Sequence, residues 1–137
     1  MISIDQYLGP WKGHKDFTHE RETNALALLM VVAHAMEVME KDGVKFPINP
    51  ATKSQVAGKT LGGFRPQDAK QGAPKSAHKQ GLAVDIWDPL NEIDNWLMAH
   101  QPFLTAVGLY IEHPDATPNW SHWSIKSPAS GKHVFHP

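Results

Sequence analysis

Between residues 18 and 42 the apolar side chains Ala25, Leu28, Leu29, Val32, Met36 and Met39 recur at three- and four-residue spacing, which keeps one face of a helix apolar. Glu20 and Glu22 stand where a first helical turn favours negative charge, and Gly43 stands where a helix stops. The pattern predicts one long, mostly buried helix. From 46 to 63 that period disappears and Pro, Gly, Asn, Thr and Ser dominate, a composition of turns and short extended pieces. Gly62-Gly-Phe-Arg-Pro66 leads into a polar loop at 67–75, after which Leu82-Ala-Val-Asp-Ile-Trp87 reads as a strand, being β-branched and aromatic. A second helix is expected over 91–99, with Ile93, Trp96 and Leu97 on one face; Pro102 opens a further turn that Gly108 closes. Two more strands are expected at 109–112 and 121–125. With no repeat, low-complexity tract or linker, the expectation is an α+β fold, helices packed on a small, mainly antiparallel sheet, forming a single domain over 1–137.

Composition narrows the chemistry. Thirteen basic and 14 acidic side chains nearly cancel, so no field of one sign steers the protein to nucleic acid or to an anionic membrane. The apolar run from 25 to 33 is far shorter than the roughly 20 residues of a membrane-spanning helix. The first ten residues carry neither the basic nor the apolar region of a secretory signal, which makes cytoplasmic synthesis the expectation. Cysteine is absent, which removes thiolate nucleophiles and cysteine-rich zinc clusters; a metal must be held by imidazole and carboxylate. The nine histidines therefore matter most.

The densest signal is Ser76-Ala-His78-Lys-Gln-Gly81-Leu-Ala83-Val-Asp85. It sets an imidazole and a carboxylate seven positions apart across a glycine able to turn the backbone sharply. If 82–87 is a strand, Ala83, Asp85 and Trp87 share one face, and a carboxylate emerges from the middle of a well-buried element. Such a group is costly unless paired or metal-bound. In Asn119-Trp-Ser-His122-Trp-Ser-Ile125 the same alternation puts Trp120, His122 and Ser124 on one face. His78, Asp85 and His122 are the candidate ligands: two imidazoles and one carboxylate leave a fourth tetrahedral position open to water, as in a catalytic zinc site. Asp85 can equally cap a turn or pair with Arg65 or Lys79, and the three can be ordinary hydrogen-bonding partners in a metal-free core. The other histidines, His14, His19, His34, His100, His113, His133 and His136, are read as structural or solvated. Trp87, Trp120 and Trp123 are read as core or pocket wall.

The run from Ser76 to Asp85 resembles the Ser-x-His-x-x-Gly-x-Ala-x-Asp signature of the D-alanyl-D-alanine carboxypeptidase family of zinc peptidases, with every specified position present. Gly62-Gly-Phe-Arg-Pro66 resembles that family's Gly-Phe/Tyr-Arg segment, Trp120-Ser-His122 its final ligand, and Ser130-Gly-Lys-His-Val-Phe-His-Pro137 the end of small phage-encoded members. The resemblance runs from about residue 24 to the carboxyl terminus. It implies a hedgehog-like fold, a Zn2+ cofactor, and hydrolysis of an amide bond in peptidoglycan stem peptides, of carboxypeptidase or endolysin type. The enzyme would be a monomer acting at the cell wall after release from the cytoplasm, without nucleic acid or membrane as partner. Arg65, Ser76 and Trp120 would bind substrate, Arg65 as the clamp for a carboxylate or oxyanion.

One position departs from the pattern. Many relatives carry an acid three residues before the final histidine as general base, and here Asn119 stands there. Glu112 is the first substitute, because a hairpin of the strands ending at 112 and beginning at 121 sets its carboxylate beside His122. Asp115, in the connection, is second. The same departure leaves a competing expectation, a non-catalytic zinc-binding module for structure or recognition.

Overall fold

The computed structural model describes residues 1–137. Helix α1, Ile4–Leu8, opens with a reciprocal cap in which Ser3 and Gln6 each bond the other's backbone N–H through their side chains. Sequence periodicity had not signalled so short a helix. Helix α2, His19–Lys41, begins at Thr18, whose hydroxyl accepts from the Arg21 N–H, and ends at Asp42. Its buried residues are Ala25, Leu28, Val32, Ala35, Met36 and Met39, the stripe its spacing predicts with Ala35 in place of the half-buried Leu29. By length and hydropathy alone α2 would also pass for a membrane span; here its apolar stripe forms one wall of the core.

Helices α3, Glu92–Ala99, and α4, Gln101–Val107, follow one another across a kink at His100. Pro102 sits in the first turn of α4, and Gly108 closes it in the left-handed conformation.

Four strands make one sheet: β1 Ala83–Trp87, β2 Tyr110–Glu112, β3 Trp120–Ser124 and β4 Val134–Phe135, in the order β1-β3-β2-β4. Strand β3 pairs antiparallel with both β1 and β2, whereas β4 runs parallel to β2. The fold is thus α+β with a mostly antiparallel sheet. The parallel fourth strand is an addition to the expected set, too short for its alternation to be read from sequence.

Alternation sorts the two faces. Val84, Ile86, Ile111 and Trp123 are wholly buried and join the α2 stripe, Ile93, Leu97, Leu104 and Phe64 in the core. Asp85, Glu112 and His122 occupy the opposite face. The segment at 46–63 is irregular, touching the sheet by a bridge between Val56 and Ile86.

Candidate metal centre

Sheet register brings the chemistry together. Asp85 lies directly opposite His122 in the β1–β3 pair. In the β2–β3 pair Tyr110 faces Ser124 and Ile111 faces Trp123, so one further step sets Glu112 opposite His122. Directly opposed residues share a face, and His122 on the middle strand is therefore flanked by a carboxylate on either side.

His78 reaches the same place from a short 3-10 turn, His78–Gln80, that ends at Gly81 with φ +74°. A side chain on Gly81 would meet the Arg21 carbonyl at 2.7 Å, so the turn needs glycine for both conformation and space. Residues 62–65 run between this turn and β1: the Asp85 N–H donates to the Gly62 carbonyl, and the Arg65 N–H to the His78 carbonyl. Gly63 packs so closely that a Cβ there would collide with the Tyr7 carbonyl.

The ligand set has the geometry of a metal site. Asp85 Oδ1 lies 2.9 Å from His122 Nδ1 and 3.3 Å from His78 Nε2, and one ligand atom from each residue lies within 4.8 Å of the others. Bonds of about 2.0–2.1 Å to a tetrahedral ion set neighbouring ligand atoms roughly 3.3 Å apart. His78 Nδ1 is 2.8 Å from the Gly63 carbonyl; a carbonyl only accepts, so Nδ1 carries a hydrogen, and Nε2 is the nitrogen turned toward Asp85. Such a carbonyl behind a ligating imidazole fixes its tautomer and orientation. All three side chains are largely buried. The group can hold a metal ion.

Arg65 stands on the other side of Asp85, its guanidinium 3.5 Å from Oδ2, while its Nε donates to the Leu61 carbonyl at 2.8 Å. Burial alone pushes the Asp85 carboxyl up; the charge of His78 and hydrogen bonds from both imidazoles outweigh that and hold it well below the usual carboxylate range. Burial pushes His122 down, but the hydrogen bond and charge of Asp85, with the charge of Glu112, leave it raised overall. Tyr7 donates to the Ala83 carbonyl beneath the site, and burial, with the Asp85 charge, raises its phenol far above the ordinary value.

A cavity of about 560 Å³ opens over the group, and Arg65, Ser76, His78, Asp85, Glu112, Trp120 and His122 all line it. Asp115 does not: its side chain is 88% exposed and pairs with His113 at 3.5 Å. Asn119 belongs to a turn, with φ +72° and its N–H donating to Asn91 Oδ1. Lys79 is held away from Asp85 by the Ala69 and Gly72 carbonyls, so of the two cations weighed for Asp85, Arg65 is the one that meets it. Lys75, Lys126 and Phe135 also line the cavity without any signal in sequence, because they come from irregular segments and from the unexpected fourth strand. Comparison of the chain with protein-family models, with curated proteins and with solved structures finds no match.

Proposed function

We propose that the chain is a zinc-dependent peptidase that hydrolyses an amide bond in peptidoglycan stem peptides. The observation that carries the reading is the row Asp85–His122–Glu112 across three adjacent strands. It supplies two ligands and one further carboxylate on the wall of the cavity that His78 completes. Two imidazoles and a carboxylate without cysteine suit zinc. The likeness of 76–85 to the carboxypeptidase signature supports the substrate class.

A zinc ion held by His78, Asp85 and His122 would supply a Lewis acid and bring a water within reach of deprotonation near neutral pH. Glu112 takes the proton of the attacking water on its carboxylate and returns it to the departing amine nitrogen. Gly63 holds the His78 ring in register through its carbonyl, and Arg65 keeps Asp85 Oδ2 turned away so that Oδ1 faces the imidazoles. The remaining N–H groups of Arg65 are available to the oxyanion that develops on the scissile carbonyl. Trp120, half-buried on the cavity wall, shields one flank from water.

The test is release of soluble peptide from purified cell walls by zinc-loaded protein. Glu112→Gln should lower turnover by roughly 10²–10⁴-fold, the usual worth of a general base, with zinc stoichiometry unchanged. His78→Ala should lose both zinc and activity. No hydrolysis of any wall preparation or synthetic stem peptide by zinc-loaded protein overturns the reading; zinc that only raises the melting temperature would make the chain a non-catalytic zinc module.

A further inference from the structure

The charged groups around the cavity are unevenly paired. Asp85 is engaged by both imidazoles and by Arg65, and the Arg65 guanidinium is engaged in turn by Asp85 and the Leu61 carbonyl. Glu112 stands beside His122. That leaves Lys75 and Lys126, which line the same cavity and have no carboxylate within 4 Å.

Lys126 is the better placed of the two. It is half-buried where Lys75 is exposed, and two residues past the end of β3 its backbone is fixed because its N–H donates to Ser124 Oγ at 2.9 Å. Its Nζ donates to the Lys75 carbonyl at 2.8 Å. An ammonium has three donors, so this bond aims the group and leaves donors for a ligand. It also ties the 126–129 wall to the loop that carries Ser76. A cation oriented by a carbonyl, short of an acid partner and sharing a cavity with a peptidase centre calls for an anion from the substrate.

We propose that Lys126, assisted by Lys75, determines specificity by binding a carboxylate of the substrate, so that the site selects acidic peptides. The proposal rests on the peptidase reading above for its cleavage assay but not for its binding assay. The carboxylate can be the chain terminus or the free α-carboxylate of a γ-linked glutamyl residue. Three synthetic stem pentapeptides separate these sources: one with both carboxylates free, one with a terminal amide, and one with the glutamyl carboxylate as carboxamide.

With zinc-loaded protein, one of the two amides should raise KM by about tenfold or more, the scale of a lost hydrogen bond to a charged group. Lys126→Met should raise KM for the fully acidic peptide by a similar factor, leave kcat within about twofold, and add nothing on the discriminating amide, the signature of a shared contact. Lys126→Arg should restore most of the discrimination. If Lys126 merely props the loop, Lys126→Met will lower kcat or raise KM alike for all three peptides, which overturns the proposal; so does equal cleavage of the three by the parent. Titrating the same peptides into metal-free protein, followed by tryptophan fluorescence, separates the two readings. Tighter binding of the acidic peptide that Lys126→Met abolishes sustains carboxylate recognition even if no peptide is ever cut, and equal binding of all three refutes it.

Discussion

Asp94 is wholly buried, and its two oxygens differ. Thr117 donates to Oδ2 at 3.0 Å, while Oδ1 has no hydrogen-bond partner. Burial pushes this carboxyl up to about 6; the Ser121 and Thr117 hydroxyls oppose the rise, and the charge of neighbouring Asp88 adds to it. Asp88 is itself raised by burial, although it accepts the Ile93 and Asp94 N–H groups at the start of α3. The folded protein therefore holds a proton on Asp94 that the unfolded chain, at an ordinary 3.8, has released. Between those values the native state binds more protons, so stability falls as pH rises from about 4 to about 6 and stays lowered above that. Asp94→Asn keeps the shape and removes the charge. Relative to the parent it should be nearly neutral at pH 4 and stabilising by on the order of 1–3 kcal/mol at pH 7.5, the scale of a buried unsatisfied group, measured by urea unfolding at both pH values.

Among the elements, the turn His78–Gln80 carries the most consequence for its size. It converts a sequence separation of seven into a 3.3 Å approach between His78 and Asp85, and it does so through the left-handed Gly81. Gly81→Ala adds a left-handed penalty of roughly 1–2 kcal/mol and a clash with the Arg21 carbonyl. The expected result is a lower urea midpoint together with weaker metal binding in a zinc titration, because relieving the clash displaces His78. The strand connections show the same economy. Asn119 takes φ +72°, receives the Asp88 N–H on its carbonyl and gives its own N–H to Asn91. Asparagine tolerates that conformation, and the carboxylate that stands beside His122 on the cavity wall is Glu112.

For the whole molecule, the candidate ligands come from three separate segments, a turn before β1, β1 itself and β3. An ion that binds all three can do so only in the folded chain, so binding and stability are linked. At a free zinc concentration of about 1,000 times Kd the gain is about 4 kcal/mol, and the melting temperature should rise on the order of 10 °C for a chain of this length. A chelator should reverse the rise, and His122→Ala should abolish the response; the readout is a thermal melt with and without the ion.

Much of this was legible in one dimension. The spacing of Ala25, Leu28, Val32, Met36 and Met39 defines a helix because 3.6-residue periodicity is local, and the alternation in 82–87 defines a strand for the same reason. His78, Gly81 and Asp85 stood out because a turn of a few residues lies within the reach of local backbone chemistry. His122 was visible as a strand histidine, and Glu112 through the inferred hairpin. What only the tertiary structure decided is non-local: that His122 lies in register with Asp85, that Arg65 faces Asp85 while Lys79 turns away, and that Asp115 points to solvent. Lys126, Phe135 and the parallel β4 were silent, since a side chain in an irregular segment acquires its neighbours only when distant parts of the chain pack. Residue types and short spacings thus determined which chemistry was present in this protein, and the sheet register determined which groups share a cavity, because register is set by long-range strand pairing that no local window of sequence contains.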